Sequence, residues 1–152
     1  MVDIDLLSFG NALKYKKIAG NSHLWDPIRK RFVLNAPEEL VRQLMIRYLI
    51  DALHYPQKLI QVEKQLVIND LIRRFDILVY DRNMQPFLLV ECKAPKIEIG
   101  QAAFDQIARY NIGLKVPYML VTNGRIHYCC SINHEDKSYA FLEEIPNSEV
   151  VG

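Results

Sequence analysis

Apolar positions recur along this chain at two periods, and the changes of period mark its elements. Between Pro37 and about Leu53, Leu40/Val41, Leu44/Met45 and Tyr48/Leu49 return every four residues, the spacing of one helical face. Pro37 suits the first turn, and Glu38 and Glu39 follow where the helix dipole favours acids. His54-Tyr55-Pro56 ends this helix, because a residue before proline is pushed out of the helical region. The period then shortens. Leu59–Ile68 alternates imperfectly and predicts the first strand of a core sheet, and Asn69-Asp70 turns the chain into a strand over Arg73–Tyr80. Phe75–Tyr80 and Phe87–Cys92 are rich in β-branched and aromatic residues. The turn formers and Pro86 between them predict a hairpin with a loop longer than two residues.

Gly100 to about Leu114 predicts a second helix, with Ala102, Ala103, Ile107 and Ala108 suited to close packing on a sheet. Pro117–Thr122 and Arg125–Ser131 flank Asn123-Gly124, a strong hairpin signal, and Ser138–Leu142 predicts a last edge strand. Before Pro37 the pattern is weak. Leu6, Leu7 and Phe9 anchor a short strand or irregular arm held loosely to the body, Trp25-Asp26-Pro27 reads as a turn and Lys30–Leu34 as a short strand. The expected fold is α/β (α+β), a central mixed sheet flanked by helices.

Composition narrows the class. At 152 residues the chain is expected to form one domain, with an arm at 1–24, a core at 25–145 and a tail at 146–152. Hydrophobic residues make up 50% and charged ones 24%, the balance of an ordinary globular protein. No apolar run approaches the roughly 18 residues of a membrane span, and the N-terminus lacks the basic start and apolar core of a signal peptide. Three cysteines, with Cys129 and Cys130 adjacent, make no disulfide framework and suit a reducing cytoplasm. Their spacing to His127 matches no structural zinc site.

Net charge is only +1, less than a tight DNA binder usually carries. Its distribution is uneven. Arg29-Lys30-Arg31, Arg42, Arg47, Arg73 and Arg74 fall in the first half, while Glu143, Glu144 and Glu149 fall in the tail. A basic front would suit phosphate, although Arg29–Arg31 alone fit a solvated surface equally well.

The candidate chemistry sits in the hairpin. Asp76 interrupts one strand between Phe75 and Ile77, and Glu91 and Lys93 close the other, on one face and about 7 Å apart at Cα. Charges in apolar strands are costly unless paired or ligating. Mg²⁺ takes hard oxygen ligands and commonly only one or two carboxylates, which Asp76 and Glu91 would supply, and Mn²⁺ would fit the same donors. A lysine beside such a metal helps to activate water or to neutralise charge on a phosphate under attack.

Asp76 followed fifteen positions later by Glu91-Cys92-Lys93 resembles the D…ExK signature of the PD-(D/E)xK nuclease superfamily. The motif is short, and its surroundings carry the resemblance. Pro37-Glu38-Glu39-Leu40-Val41-Arg42-Gln43, Arg74-Phe75-Asp76-Ile77-Leu78-Val79, Leu89-Val90-Glu91-Cys92-Lys93-Ala94-Pro95 and Asp105-Gln106-Ile107-Ala108-Arg109-Tyr110-Asn111 resemble one branch. That branch is the N-terminal nuclease-domain family of type I restriction enzyme R (HsdR-like) subunits, and the likeness runs from about Trp25 to Tyr128.

The resemblance implies a restriction-endonuclease-like fold and metal-dependent DNA cleavage. Asp76, Glu91 and the Cys92 carbonyl would hold the metal, and Lys93 would act on the attacking water or the transition state. It implies an acidic helper on the first helix, Glu39, and a supporting Gln-x-x-x-Tyr pair, Gln106 and Tyr110, one turn apart on the second helix. Arg42, Arg74 and Arg109 are the expected nucleic-acid contacts. Glu63 is expected to face solvent rather than edge the site. The family's large members continue into an ATP-driven translocase, but no G-x-x-x-x-G-K-[ST] occurs here, so no nucleotide cofactor is expected and a separate motor or restriction-modification subunit is an expected partner beside DNA.

Two other readings compete. One is a module that grips DNA or a restriction complex through the same groove without cutting, which the near-neutral charge favours. The other is a structural protein in which Asp76, Glu91 and Lys93 form a buried ion-pair network.

Overall fold

The computed structural model describes residues 1–147, with the side chains at 110–112 excepted. Six strands form the main sheet in chain order: β4 (Ile60–Ile68), β5 (Leu71–Tyr80), β6 (Pro86–Cys92), β7 (Tyr118–Thr122), β8 (His127–Asn133) and β9 (Ser138–Leu142). Every neighbouring pair is antiparallel except β6 and β7, which run parallel. A parallel join needs a long crossover, and helix α2 (Gln101–Asn111) provides it. Helix α1 (Pro37–Arg47) passes into a π turn over Tyr48–Ala52, so the helix expected to about Leu53 is α-helical only to Arg47.

The two helices cover opposite faces of the sheet. On one face Val41, Leu44 and Met45 of α1 join Ile77, Val79, Leu88, Val90 and Leu120. On the other, Phe104 and Ala108 of α2 join Phe75, Leu78, Leu89, Met119 and Val121. The sheet's apolar runs are therefore buried on both sides, the condition that makes such strands read as nearly continuous hydrophobic stretches. This is the mixed sheet between helices that the periodicity predicts. Cys129 belongs to the α1-side core and Cys130 to the α2-side core, and all three cysteines are free and buried. No helix of the described residues is long and apolar enough to cross a membrane.

In the first 34 residues the strand expected over Lys30–Leu34 is present, and the rest differs from expectation. Leu6–Ala12 forms 3-10 turns, and β1 (Tyr15–Ile18), β2 (Asn21–Asp26) and β3 (Arg31–Leu34) make a separate antiparallel sheet. Residues 1–24 are not a loosely held arm. Val2 and Leu6 are buried in the α1-side core, and the Val2 N–H donates to the His127 carbonyl at 2.8 Å. Ala19, Gly20 and Lys30 take positive φ at the turns, which for Ala and Lys no local propensity foretells. Trp25 and Asp26, expected in a turn, end β2 instead. In the tail Ile145 is buried and the Tyr55 hydroxyl donates to the Pro146 carbonyl, whereas Glu149 lies outside the described residues.

The β7–β8 connection follows its sequence closely. Asn123 Oδ1 accepts the N–H groups of Arg125 and Ile126 at 2.9 and 2.8 Å, and Gly124 follows at φ +89°. A Cβ at Gly124 would stand 3.1 Å from Val41 Cγ2 on α1. Gly124→Ala is therefore expected to lower the unfolding free energy by about 1–2 kcal/mol through its left-handed backbone and this crowding, read as a lower urea midpoint at unchanged slope.

Candidate functional site

Strands β4 and β5 break their alternation at one row while keeping the same register on either side. In the β4–β5 ladder Val62 pairs with Ile77 and Lys64 with Phe75, while Glu63 and Asp76 between them are unpaired and Glu63 takes φ +52°. On the hairpin-tip side of this row, Leu66, Ile68 and Phe75 belong to the α2-side core. Beyond it, Val62, Ile77 and Val79 belong to the α1-side core. Strict alternation counted from Ile77 would aim Asp76 at α2. The break turns it toward α1 instead. A non-glycine residue at positive φ is strained, and here the strain accompanies a re-aimed carboxylate.

Strand β5 parts from β6 at the same place. Their pairing ends at Ile77–Val90, and the Cys92 N–H, which has lost its strand partner, donates to Asp76 Oδ2 at 2.8 Å. Glu91 enters this fork and is hydrogen-bonded to Asp76. Burial, then the Asp76 charge, pushes the Glu91 carboxyl up to about 8, with Lys93 opposing. The Lys93 N–H donates to the Thr122 carbonyl of β7 at 2.8 Å, and its side-chain charge acts on both Glu91 and Glu38.

A pH dependence follows. The folded carboxyl holds its proton more tightly than the unfolded one, whose ordinary value is 4.5. Its contribution to stability is present below that value and is lost as pH rises toward about 8. Denaturant unfolding of EDTA-treated protein is expected to show stability falling across this window, and Glu91→Gln should flatten the fall.

Two arginines organise the acids around the fork. Arg42 Nη2 lies 2.9 Å from Asp76 Oδ1, and Arg42 Nη1 lies 3.0 Å from Glu39 and 3.4 Å from Glu63. Arg29 contacts Glu39 at 2.6 Å, Glu63 at 3.1 Å and Asp26, which is fully buried. Arg74 completes the set at 2.7 Å from Glu63. Asp26 also accepts the N–H groups of Ile28 and Arg29, so one side chain caps the β2–β3 turn and fixes the first arginine.

The expected site residues divide accordingly. Asp76, Glu91 and Lys93 converge at the fork. Glu39 is joined to it through Arg42, and Gln43 donates to its other oxygen at 3.3 Å. Arg42, expected to meet nucleic acid, is only 6% exposed and directs its charge inward, whereas Arg74 and Arg109 are exposed. Gln106 is exposed on α2, and none of the hydrogen bonds of the described residues around Asp76 involves it. The Tyr110 side chain lies outside the described residues. Glu63 was expected to face solvent and instead joins three arginines. Glu38, which the sequence marks only as a first-turn acid, belongs with this group as well. Its carboxyl is pushed up by burial and then by Asp76, with Arg42 and Lys93 opposing, so it lies within the electrostatic reach of the fork. Its spacing of four from Arg42 was the available signal.

Among the described residues no three His, Cys, Asp or Glu side chains cluster as a metal cage. The side chains that meet at the fork include two adjacent carboxylates, both hard oxygen donors. Adjacent carboxylates suit a divalent cation of the Mg²⁺ kind, which takes few protein ligands.

Residues 37–146 match the family described as type I restriction enzyme R protein N terminus (HSDR_N). Among solved structures the chain is similar to a fragment described as an HsdR subunit of a type I restriction enzyme from Vibrio vulnificus YJ016. The identity is 23% and the TM-score 0.37, over 59% of this chain and 17% of that one. This chain thus spans about a sixth of the length of that relative. No curated protein matches.

Proposed function

The chain belongs to the type I restriction enzyme R N-terminal family, and from that premise we propose that it is a metal-dependent deoxyribonuclease domain that hydrolyses DNA phosphodiesters at the Asp76–Glu91–Lys93 fork. The observation that carries the reading is the fork itself. Two carboxylates from neighbouring strands meet where the ladder opens, under the charge of a lysine held by the next strand.

In the proposed reaction a water oxygen bonds to phosphorus as the P–O bond to the sugar breaks. The water gives up its proton and the departing alkoxide takes one up. Asp76, Glu91 and the Cys92 carbonyl would hold Mg²⁺ or Mn²⁺, which when bound polarises the phosphate and makes a water acidic. Lys93 neutralises charge that develops on the phosphate oxygens. Arg42 holds Asp76 in place, and it pairs with Glu39 and Glu63 so that the acids around the fork do not repel the phosphate. Gln106 and Tyr110 on α2 would brace the nucleic-acid backbone. Arg74 and Arg109 would contact it, the role first expected of Arg42 as well. The domain would act in the cytoplasm, on DNA, beside a separate motor or restriction-modification subunit.

A non-cutting grip on DNA is the second reading. It is favoured by the net charge of +1 and by the inward pairing of Arg29 and Arg42, which leaves less positive surface for phosphate. The two readings separate when purified protein is incubated with supercoiled plasmid and linear duplex in Mg²⁺, in Mn²⁺ and in EDTA. Cleavage that needs the metal and disappears in Glu91→Gln supports hydrolysis, and nicked or linear plasmid assigns it as endonucleolytic. Metal-independent binding with intact DNA supports the module.

A further inference from the structure

The β4–β5 pair continues past the sheet. Because β5 leaves β6 at Ile77, residues 71–75 of β5 pair only with β4 and the two strands project as a ribbon. Its turn is tight. Asn69 and Asp70 take φ of 51° and 64°, left-handed at both central positions, as in two-residue turns that match the twist of their strands. One side of the ribbon is braced, since Leu66 and Ile68 pack on the α2-side core. Space there is closed, and a Cβ on Gly113 would come within 2.9 Å of Ile68 Cγ2.

The opposite side is open and ordered in rows. Val67 pairs with Ile72 nearest the tip, each 71% exposed, and Gln65 pairs with Arg74 in the next row. Glu63 and Asp76 form the third row, at the fork. Arg74 is 58% exposed and contacts Glu63, which confirms that these rows share one side. Asp76 lies four positions along the strand from Ile72, a span of about 13 Å.

Exposed apolar pairs at a hairpin tip are an aggregation hazard unless something covers them. The neighbouring arginine and the line leading to a phosphodiester site identify the cover. The major groove of duplex DNA, about 12 Å wide, admits a two-stranded ribbon and offers apolar methyl edges beside charged phosphates.

We propose that the β4–β5 ribbon is the duplex-gripping arm of this site, with Arg74 on a backbone phosphate flanking the scissile one and Val67 and Ile72 against base edges in the groove. The proposal deepens the nuclease reading and rests on it for the position of the scissile phosphate. Asp70 occupies the turn, so the contact is made by the ribbon's side and not by its end.

The test is fluorescence anisotropy of a labelled duplex across a salt series, in Ca²⁺ to hold cleavage off, with plasmid cleavage in Mg²⁺ and gel filtration run in parallel. Val67→Thr/Ile72→Thr keeps β propensity at exposed positions. It is expected to weaken duplex binding about tenfold with an unchanged salt slope, since apolar contacts release no counterions. Arg74→Gln should weaken binding and lower the slope by about one. Wild-type affinity in the double variant overturns the arm even where cleavage is intact, as does a wild type that binds no duplex. A double variant that turns a dimer into a monomer at unchanged DNA affinity also overturns it, assigning the tip to a second copy of the chain. Duplex binding that falls in the variants, by a wild type that never cuts, supports the arm and sinks hydrolysis instead.

Discussion

Arg42→Met is expected to lower the unfolding free energy by about 3–5 kcal/mol, the usual cost of removing one partner from a buried ion pair. For a chain of this size that is a fall of roughly 10 °C in melting temperature. The loss is large because one guanidinium serves three acids, Glu39, Glu63 and Asp76, while its own side chain is 7% exposed. Without it, three carboxylates repel one another, with Arg29 reaching only Glu39 and Glu63. A second substitution checks the cause. Adding Asp76→Asn to Arg42→Met removes one of the stranded charges and should restore part of the stability, so that the two losses fall short of additive. Strictly additive losses in calorimetry would mean that the Arg42–Asp76 pair contributes nothing.

Lys93→Ala is expected to do the reverse, harming activity and sparing the fold. If Lys93 neutralises the phosphate under attack, its removal should slow metal-dependent plasmid cleavage by about 10²–10³-fold, the usual loss for a group that stabilises transition-state charge. The ion pairs of the cluster are made by Arg29, Arg42 and Arg74, so the melting temperature should move by no more than about 2 °C. The structural reading of Asp76, Glu91 and Lys93 requires a marked loss of stability instead. Initial cleavage rates and melting of the same two proteins decide between them.

The elements that follow from local pattern were legible in the sequence. The helix after Pro37, the β5–β6 hairpin, the crossover helix and the Asn123-Gly124 turn stand within a few residues of where periodicity and turn chemistry place them. Asp76, Glu91 and Lys93 were legible too, as charges that apolar strands do not carry without a use. What was hidden depends on contacts between distant positions. Arg42 meets Asp76 across 34 residues, and nothing around either one announces the other. Without that pairing, Arg42 reads as a free cation and Glu63 as a solvent-facing acid. The break at Glu63 is equally silent, because a glutamate at positive φ contradicts its own propensity and is held by the arginines around it. The N-terminal sheet was missed for another reason. Only β3 was legible, as the strand expected over Lys30–Leu34; β1 is four residues long and exposed throughout, and β2 is six residues long and mostly polar.

The single parallel join in the sheet has a bearing on how the site comes into being. Strands β4 to β6 form one meander and β7 to β9 another, each built from neighbours in the chain, while β6 and β7 meet only after 25 residues of crossover. Hairpins close over short loops, and the parallel seam must wait for a long one. Asp76 and Glu91 belong to the first meander, but the backbone of Lys93 is tethered across the seam, to Thr122 of the second. The two acids are thus encoded in one half of the sheet, and the cation is fixed beside them only when that half docks with the other. The complete charge set is a property of the assembled sheet, acquired at its slowest-closing joint.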